Sequence, residues 1–172
     1  LEAAKNAQKE WATLSPITRA EILFRAADLM ESRMQKLMVL LSRESGKTYS
    51  NGISEVREAV DFLRYYASQA QTFETNAIQA LGTVLCISPW NFPLAIFSGQ
   101  ISAALAVGNC VIAKPAEQTP LIASEAVKNL WQAGVPEAVL QLLPGRGSWG
   151  YQGGRLPYFY RVHREYTWGR CG

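Results

Sequence analysis

Asn91 stands between two prolines in Ser88-Pro89-Trp90-Asn91-Phe92-Pro93. Proline fixes its own φ and restricts the residue before it, so this stretch of backbone is tightly held. A rigid side-chain amide can donate to an oxyanion that develops during a reaction. It can equally do no more than close a turn. Further along, Lys114 and Glu117 stand three apart in Lys114-Pro115-Ala116-Glu117-Gln118-Thr119-Pro120. A carboxylate on a stiff loop can accept from the hydroxyls of a ribose diol. The plainer alternative is a solvated pair at a strand exit. Cys86, Cys110 and Cys171 have no metal-ligand spacing, and the first two lie in apolar runs where a buried free thiol is expected. No metal site is expected. This thiol set fits a reducing, cytosolic compartment better than a secreted one.

The elements that must position these residues follow from hydrophobic period. Residues 2–12 have a short-helix pattern, and Ser15-Pro16 is an N-cap followed by proline at the first helical position. Leu23, Ala27, Met30, Met34, Leu37, Met38 and Leu41 then follow at three- and four-residue steps, the face of one helix that Gly46 stops. A second amphipathic run begins near Ser54 and passes Val56, Val60, Leu63 and Ala67. The first 75 residues therefore read as a helical layer. From Leu81 the pattern changes: strands at 83–88, 109–114 and 139–143 alternate with helices at 94–107 and from Thr119-Pro120 to Gly134. That order predicts an α/β fold with βαβαβ units and a parallel sheet. Near-continuous apolar strands mean that both sheet faces are covered. Ligands of such sheets bind outside the carboxyl ends of the strands, here 88–91, 114–117 and 144–147. No G-x-G-x-x-G follows the first strand, and Gly145-Arg146-Gly147 is too short to replace one.

Composition bounds the rest. The 172 residues are 48% hydrophobic and 18% charged, which excludes a disordered chain, a collagen or a disulfide scaffold. No apolar run is long enough for a membrane span. The start, Leu1-Glu2-Ala3-Ala4-Lys5, has no signal-peptide core and reads as the interior of a longer chain. Residues 1–147 hold 13 Lys+Arg and 13 Asp+Glu, so the net charge of +3 lies wholly in the last 25 residues. Those residues also carry the one histidine, His163, and Arg155, Arg161, Arg164 and Arg170 among aromatics. Arginines interleaved with aromatics can stack on bases. The absence of periodicity and the glycines at 150, 153, 154, 169 and 172 argue against that, and no nucleic-acid partner is expected.

Gly82-Thr83-Val84, then Ser88-Pro89-Trp90-Asn91-Phe92-Pro93, then Ala104-Leu105-Ala106-Val107-Gly108-Asn109, then Lys114-Pro115-Ala116-Glu117-Gln118-Thr119-Pro120, in this order, resemble the aldehyde dehydrogenase superfamily. Glu55-Val56-Arg57-Glu58-Ala59-Val60-Asp61-Phe62-Leu63-Arg64-Tyr65-Tyr66 and Val139-Leu140-Gln141-Leu142-Leu143-Pro144-Gly145 are similar to its L-glutamate γ-semialdehyde (Δ1-pyrroline-5-carboxylate) dehydrogenase branch. The resemblance covers about residues 1–147. It implies an N-terminal helical layer followed by half of a doubly wound, Rossmann-like NAD-binding sheet, truncated. It implies segments at 1–75 (helical), 76–147 (partial NAD-binding domain) and 148–172 (outside the family). The cofactor it implies is NAD and the substrate a small-molecule aldehyde, L-glutamate γ-semialdehyde, oxidised to glutamate in proline catabolism. Asn91 matches the oxyanion-hole asparagine, and Lys114 and Glu117 match the pair that contacts the adenosine ribose. Ile87, Ser88, Pro89 and Trp90 match the loop beside the nicotinamide, Gly147 a glycine near the adenine pocket, and Phe92 a residue near the aldehyde. The family does without G-x-G-x-x-G. The resemblance further implies a homo-oligomer for the full-length protein, and it leaves open whether a proline dehydrogenase domain is fused to it.

The family's cysteine nucleophile and general-base glutamate are expected downstream of residue 172, so the isolated chain is expected to be inactive. Its phosphate-binding F-T-G-S-T motif is absent as written. Residues 158–165, Tyr-Phe-Tyr-Arg-Val-His-Arg-Glu, can be back-translated with synonymous codons to read I-F-T-G-S-T-E from the second base. The tail is therefore expected to arise from a reading-frame slip near residue 147 and to be flexible.

Overall fold

The computed structural model describes residues 2–73 and 79–145; Gly147 and the whole of 148–172, including the tail just discussed, lie outside the described residues. Four helices come first: α1 (Glu2–Thr13), α2 (Pro16–Ser32), α3 (Met34–Ser45) and α4 (Tyr49–Gln71). The rest alternates as β1 (Thr83–Ile87), α5 (Ala95–Ala106), β2 (Cys110–Lys114), α6 (Pro120–Ala133) and β3 (Leu140–Leu142).

Local chemistry sets most boundaries. Ser15 Oγ accepts from Thr18 N at 3.0 Å and Pro16 opens α2, as its sequence requires. Gly46 closes α3 in the left-handed region, at φ 67°, with its N–H returned to Ser42 O. Thr48 Oγ1 accepts from Asn51 N and starts α4 at Tyr49, a turn and more before the Ser54 that the hydrophobic pattern marked. The period is blind there because the first turn of α4 is largely exposed.

The long helix expected from Pro16 to Gly46 is in fact two. Arg33 leaves helical geometry at φ −103°, ψ 13°, and separates α2 from α3. No proline or glycine announces this break. It is a tertiary effect, since the Arg33 guanidinium reaches Asn129 Oδ1 on α6 at 3.4 Å.

The sheet is parallel with strand order β1-β2-β3. Ile87 pairs with Lys114, and Ala113 with Leu142, so the three strands end within a residue or two of one another. α5 is apolar all round and fully packed, lying between α4 and the sheet. The core is continuous from Leu23, Met30 and Leu63 in the helical layer through Phe97 and Ile101 to Val111 and Leu140. The Ala-Val-Gly-Asn turn locks α5 to the sheet. Gly108 takes φ 88°, Asn109 Oδ1 accepts from Gly82 N at 3.0 Å, and Asn109 Nδ2 donates to Ala104 O at 3.2 Å.

Candidate functional site

The parallel register puts three loop tips on one rim. Ser88 N donates to Lys114 O at 3.2 Å, joining the exits of β1 and β2. Leu143 N donates to Ala113 O at 2.8 Å, bringing the exit of β3 alongside. Between the last two exits lies an open depression of about 280 Å³, lined by Ala116, Glu117, Pro120, Pro144 and Gly145. Glu117 is exposed at its wall, while Lys114 Nζ folds back onto Pro115 O at 3.1 Å. Ile87, Trp90, Asn91 and Phe92 present exposed side chains at the other end of the rim, and Pro89 is half-buried. Gly147 lies outside the described residues.

Two hydroxyls at this rim are buried without a partner among the described residues. Ser88 Oγ directly follows β1, and Thr119 Oγ1 lies at the loop that leads into α6. Both oxygens are closed off from solvent, so they do not meet a ligand directly. The group at the rim that a ribose diol can reach is the exposed Glu117 carboxylate, which can accept from it, and in that respect the rim fits a nucleotide.

The N-termini of the two sheet helices do not take part as anion sites. Leu94 and Ala95 open α5 without a Ser, Thr, Asp or Asn cap of their own. Glu55, from α4, supplies the missing acceptor: its Oε1 takes Leu94 N at 2.8 Å and Ala95 N at 3.3 Å. Glu44, from α3, does the same for α6, accepting from Leu121 N at 2.9 Å and Ile122 N at 2.7 Å. Both helix dipoles are thereby met by carboxylates of the helical layer. Lys47 completes the first of these arrangements. Its ammonium lies 2.8 Å from Glu55 Oε2, off the hydrogen-bond axis, and 4.1 Å from the centre of the Phe92 ring.

Sequence reasoning missed Glu44, Lys47 and Glu55. A signal existed for the last. Glu55 falls inside the buried stripe Gly52, Val56, Ala59, Val60 and Leu63, where a charge demands a partner.

Neither described thiol is a nucleophile. Burial pushes Cys86 up to about 12 and Cys110 up to about 11, so both stay protonated near neutral pH. Cys171 lies outside the described residues. Among the described residues no cluster of three or more His, Cys, Asp or Glu could hold a metal ion. Among them, too, no helix is long and apolar enough to cross a membrane.

Residues 1–152 match the aldehyde dehydrogenase family. The chain belongs to that family. It is 62% identical over 149 residues to the bifunctional protein PutA of Escherichia coli (strain K12), covering 86% of this chain and 11% of that protein. It is 40% identical over 161 residues to 1-pyrroline-5-carboxylate dehydrogenase of Anoxybacillus flavithermus, covering 86% of this chain and 31% of that protein. The solved 1-pyrroline-5-carboxylate dehydrogenase from Thermus with bound NAD superposes with a TM-score of 0.82 at 37% identity, over 86% of this chain and 31% of that one. This aldehyde dehydrogenase segment thus spans about a tenth of the bifunctional relatives and under a third of the monofunctional ones. Its helical layer and short parallel sheet are those of the aldehyde dehydrogenase fold.

Proposed function

We propose that this chain is the first part of the cofactor-binding region of an NAD-dependent aldehyde dehydrogenase. The full-length enzyme oxidises L-glutamate γ-semialdehyde to L-glutamate in proline catabolism. The observation that supports this best is the shared rim: Asn91, Lys114 and Glu117 follow neighbouring parallel strands at their carboxyl ends, with Glu117 at the wall of an open depression. Glu117, with Lys114 beside it, would hold the adenosine ribose, and Ile87, Ser88, Pro89 and Trp90 would border the nicotinamide. Gly147 would approach the adenine. NAD, when bound, supplies the hydride acceptor. Phe92 would flank the aldehyde, and the Asn91 amide would donate to the aldehyde oxygen as it gains charge. Similarity to PutA and to 1-pyrroline-5-carboxylate dehydrogenase carries the choice of substrate.

The segments follow the same reading, a helical part at 1–75, a partial NAD-binding part at 76–147 and a tail at 148–172, although the family match runs on to residue 152, so only 153–172 lie outside it. In full length the protein would act as a cytoplasmic homo-oligomer, and the fusion to a proline dehydrogenase domain would follow the bifunctional relatives. The isolated chain is expected to be inactive: acyl transfer needs an activated thiolate, and the two described thiols, Cys86 and Cys110, are buried in the strands and held protonated rather than presented at the rim.

A chimera tests this reading. Residues 2–145 of this chain replace the matching segment of the Escherichia coli PutA, and NADH formation is followed with the semialdehyde. The chimera should turn over, while the 172-residue chain alone should not exceed background. In the chimera, Asn91→Ala should lower kcat by about 100-fold. Glu117→Ala should raise the KM for NAD about tenfold with kcat little changed. An unaffected kcat in Asn91→Ala would remove Asn91 from the chemistry.

A further inference from the structure

The prolines stiffen the turn that carries Asn91 but do not anchor it to the rest of the fold. Pro93 has no N–H to give, and α5 begins at Leu94 and Ala95 without a capping side chain. What fixes it comes from α4 and from the turn before it. Glu55 is 1% exposed and has Oε1 on the first two N–H groups of α5. Its Oε2 holds the Lys47 ammonium, which in turn sits over the face of Phe92. One buried ion pair therefore grips the chain at Phe92 and at Leu94–Ala95, directly after Asn91. On the other side Ser88, itself buried, is tied to Lys114 O. Asn91 lies between these two anchors, exposed, with no hydrogen-bond partner for its amide among the described residues. A free amide on a clamped backbone is aimed by the clamp.

From this we infer that Glu55 and Lys47 are positioning residues for the reaction. They set the place of the Asn91 amide and touch neither substrate nor cofactor. The inference rests on the proposed role of Asn91 and adds a device on which that role depends. Displacing a donor by a fraction of its hydrogen-bond length weakens what it gives the transition state, and misplacements of about 1 Å can cost about 100-fold in rate. A partial release of the clamp should cost less than the loss of Asn91 itself.

The test is a double-mutant cycle in the chimera, with kcat referred to titrated active sites. Glu55→Ala should lower kcat about tenfold, with the KM for the semialdehyde within about twofold of the parent. Glu55→Gln keeps an acceptor for Leu94 N and should recover part of the loss. Glu55→Ala combined with Asn91→Ala should be no slower than Asn91→Ala alone, because a clamp has no effect once the amide it aims is gone. If the two losses instead multiply, Glu55 is only structural and the inference is overturned. An unchanged kcat in Glu55→Ala overturns it as well. Should Glu55→Ala fail to fold, Lys47→Arg reads the same cycle: it keeps a cation for the buried Glu55 carboxylate, shifts the charge over Phe92, and should cost about threefold without adding to Asn91→Ala. Loss of kcat in Asn91→Ala together with no loss in either clamp variant would leave the proposed role of Asn91 standing and remove this inference alone.

Discussion

The buried Glu55 carboxylate bears on its neighbour along α4. Glu58 lies one turn beyond Glu55, and partial burial and then the Glu55 carboxylate push its carboxyl above the ordinary range, with Lys47 opposing. The folded state thus holds that proton more tightly than the unfolded chain. Ionised Glu58 therefore costs stability above the usual carboxylate range, and the cost disappears as pH falls below it. Glu58→Gln should raise the urea midpoint slightly at pH 7 and leave it unchanged at pH 3, which denaturation curves at the two values will read. Gly108 is a sharper case. Its φ of 88° lies in the left-handed region, and an added Cβ would sit 3.3 Å from the Ala12 backbone. Gly108→Ala should cost about 2 kcal/mol in the same experiment. This glycine stood out in the sequence as the end of a helix; its contact with α1 did not, because nothing local says which distant backbone comes near.

The helical layer serves the sheet helices by charge as well as by packing. Glu55 and Glu44 meet the N-termini of α5 and α6, while Arg19 Nε reaches Ala106 O at 3.0 Å and Arg25 Nε reaches Ala133 O at 3.0 Å at their C-termini. Acidic groups at one end and guanidinium groups at the other both complement the helix dipole. Glu44→Ala should cost about 1 kcal/mol, the size of a lost N-cap, with a parallel loss of amide-exchange protection at Leu121 and Ile122. Strands and sheet helices were legible from apolar period, proline and glycine. Long-range caps were not, since α5 shows only that its own cap is missing. The Arg33 break was hidden for the same reason: Asn129, its partner, is far away in sequence. For the site, the order of the three loop motifs was readable, and the parallel register then placed them on one rim. The clamp on Asn91 was not readable, because it needs α4 laid along α5.

Taken together, the described residues form one core that carries a three-stranded sheet with β1 and β3 at its outer positions. Leu81, Ile87 and Leu143 are exposed along or beside those outer strands. With both helix N-termini already met by carboxylates, a nucleotide would find the proposed ribose contact at Glu117 and, among the described residues, no free helix N-terminus at the sheet for its phosphates. Affinity should accordingly be weak, in the millimolar range, or about −4 kcal/mol. The most direct test is to titrate the ¹⁵N-labelled chain with NAD and follow amide shifts residue by residue. The account expects millimolar, saturable shifts concentrated at 88–91, 114–119 and 143–145, and their loss in Glu117→Ala. Shifts centred elsewhere in the molecule, micromolar affinity, or no shift at tens of millimolar NAD would contradict it.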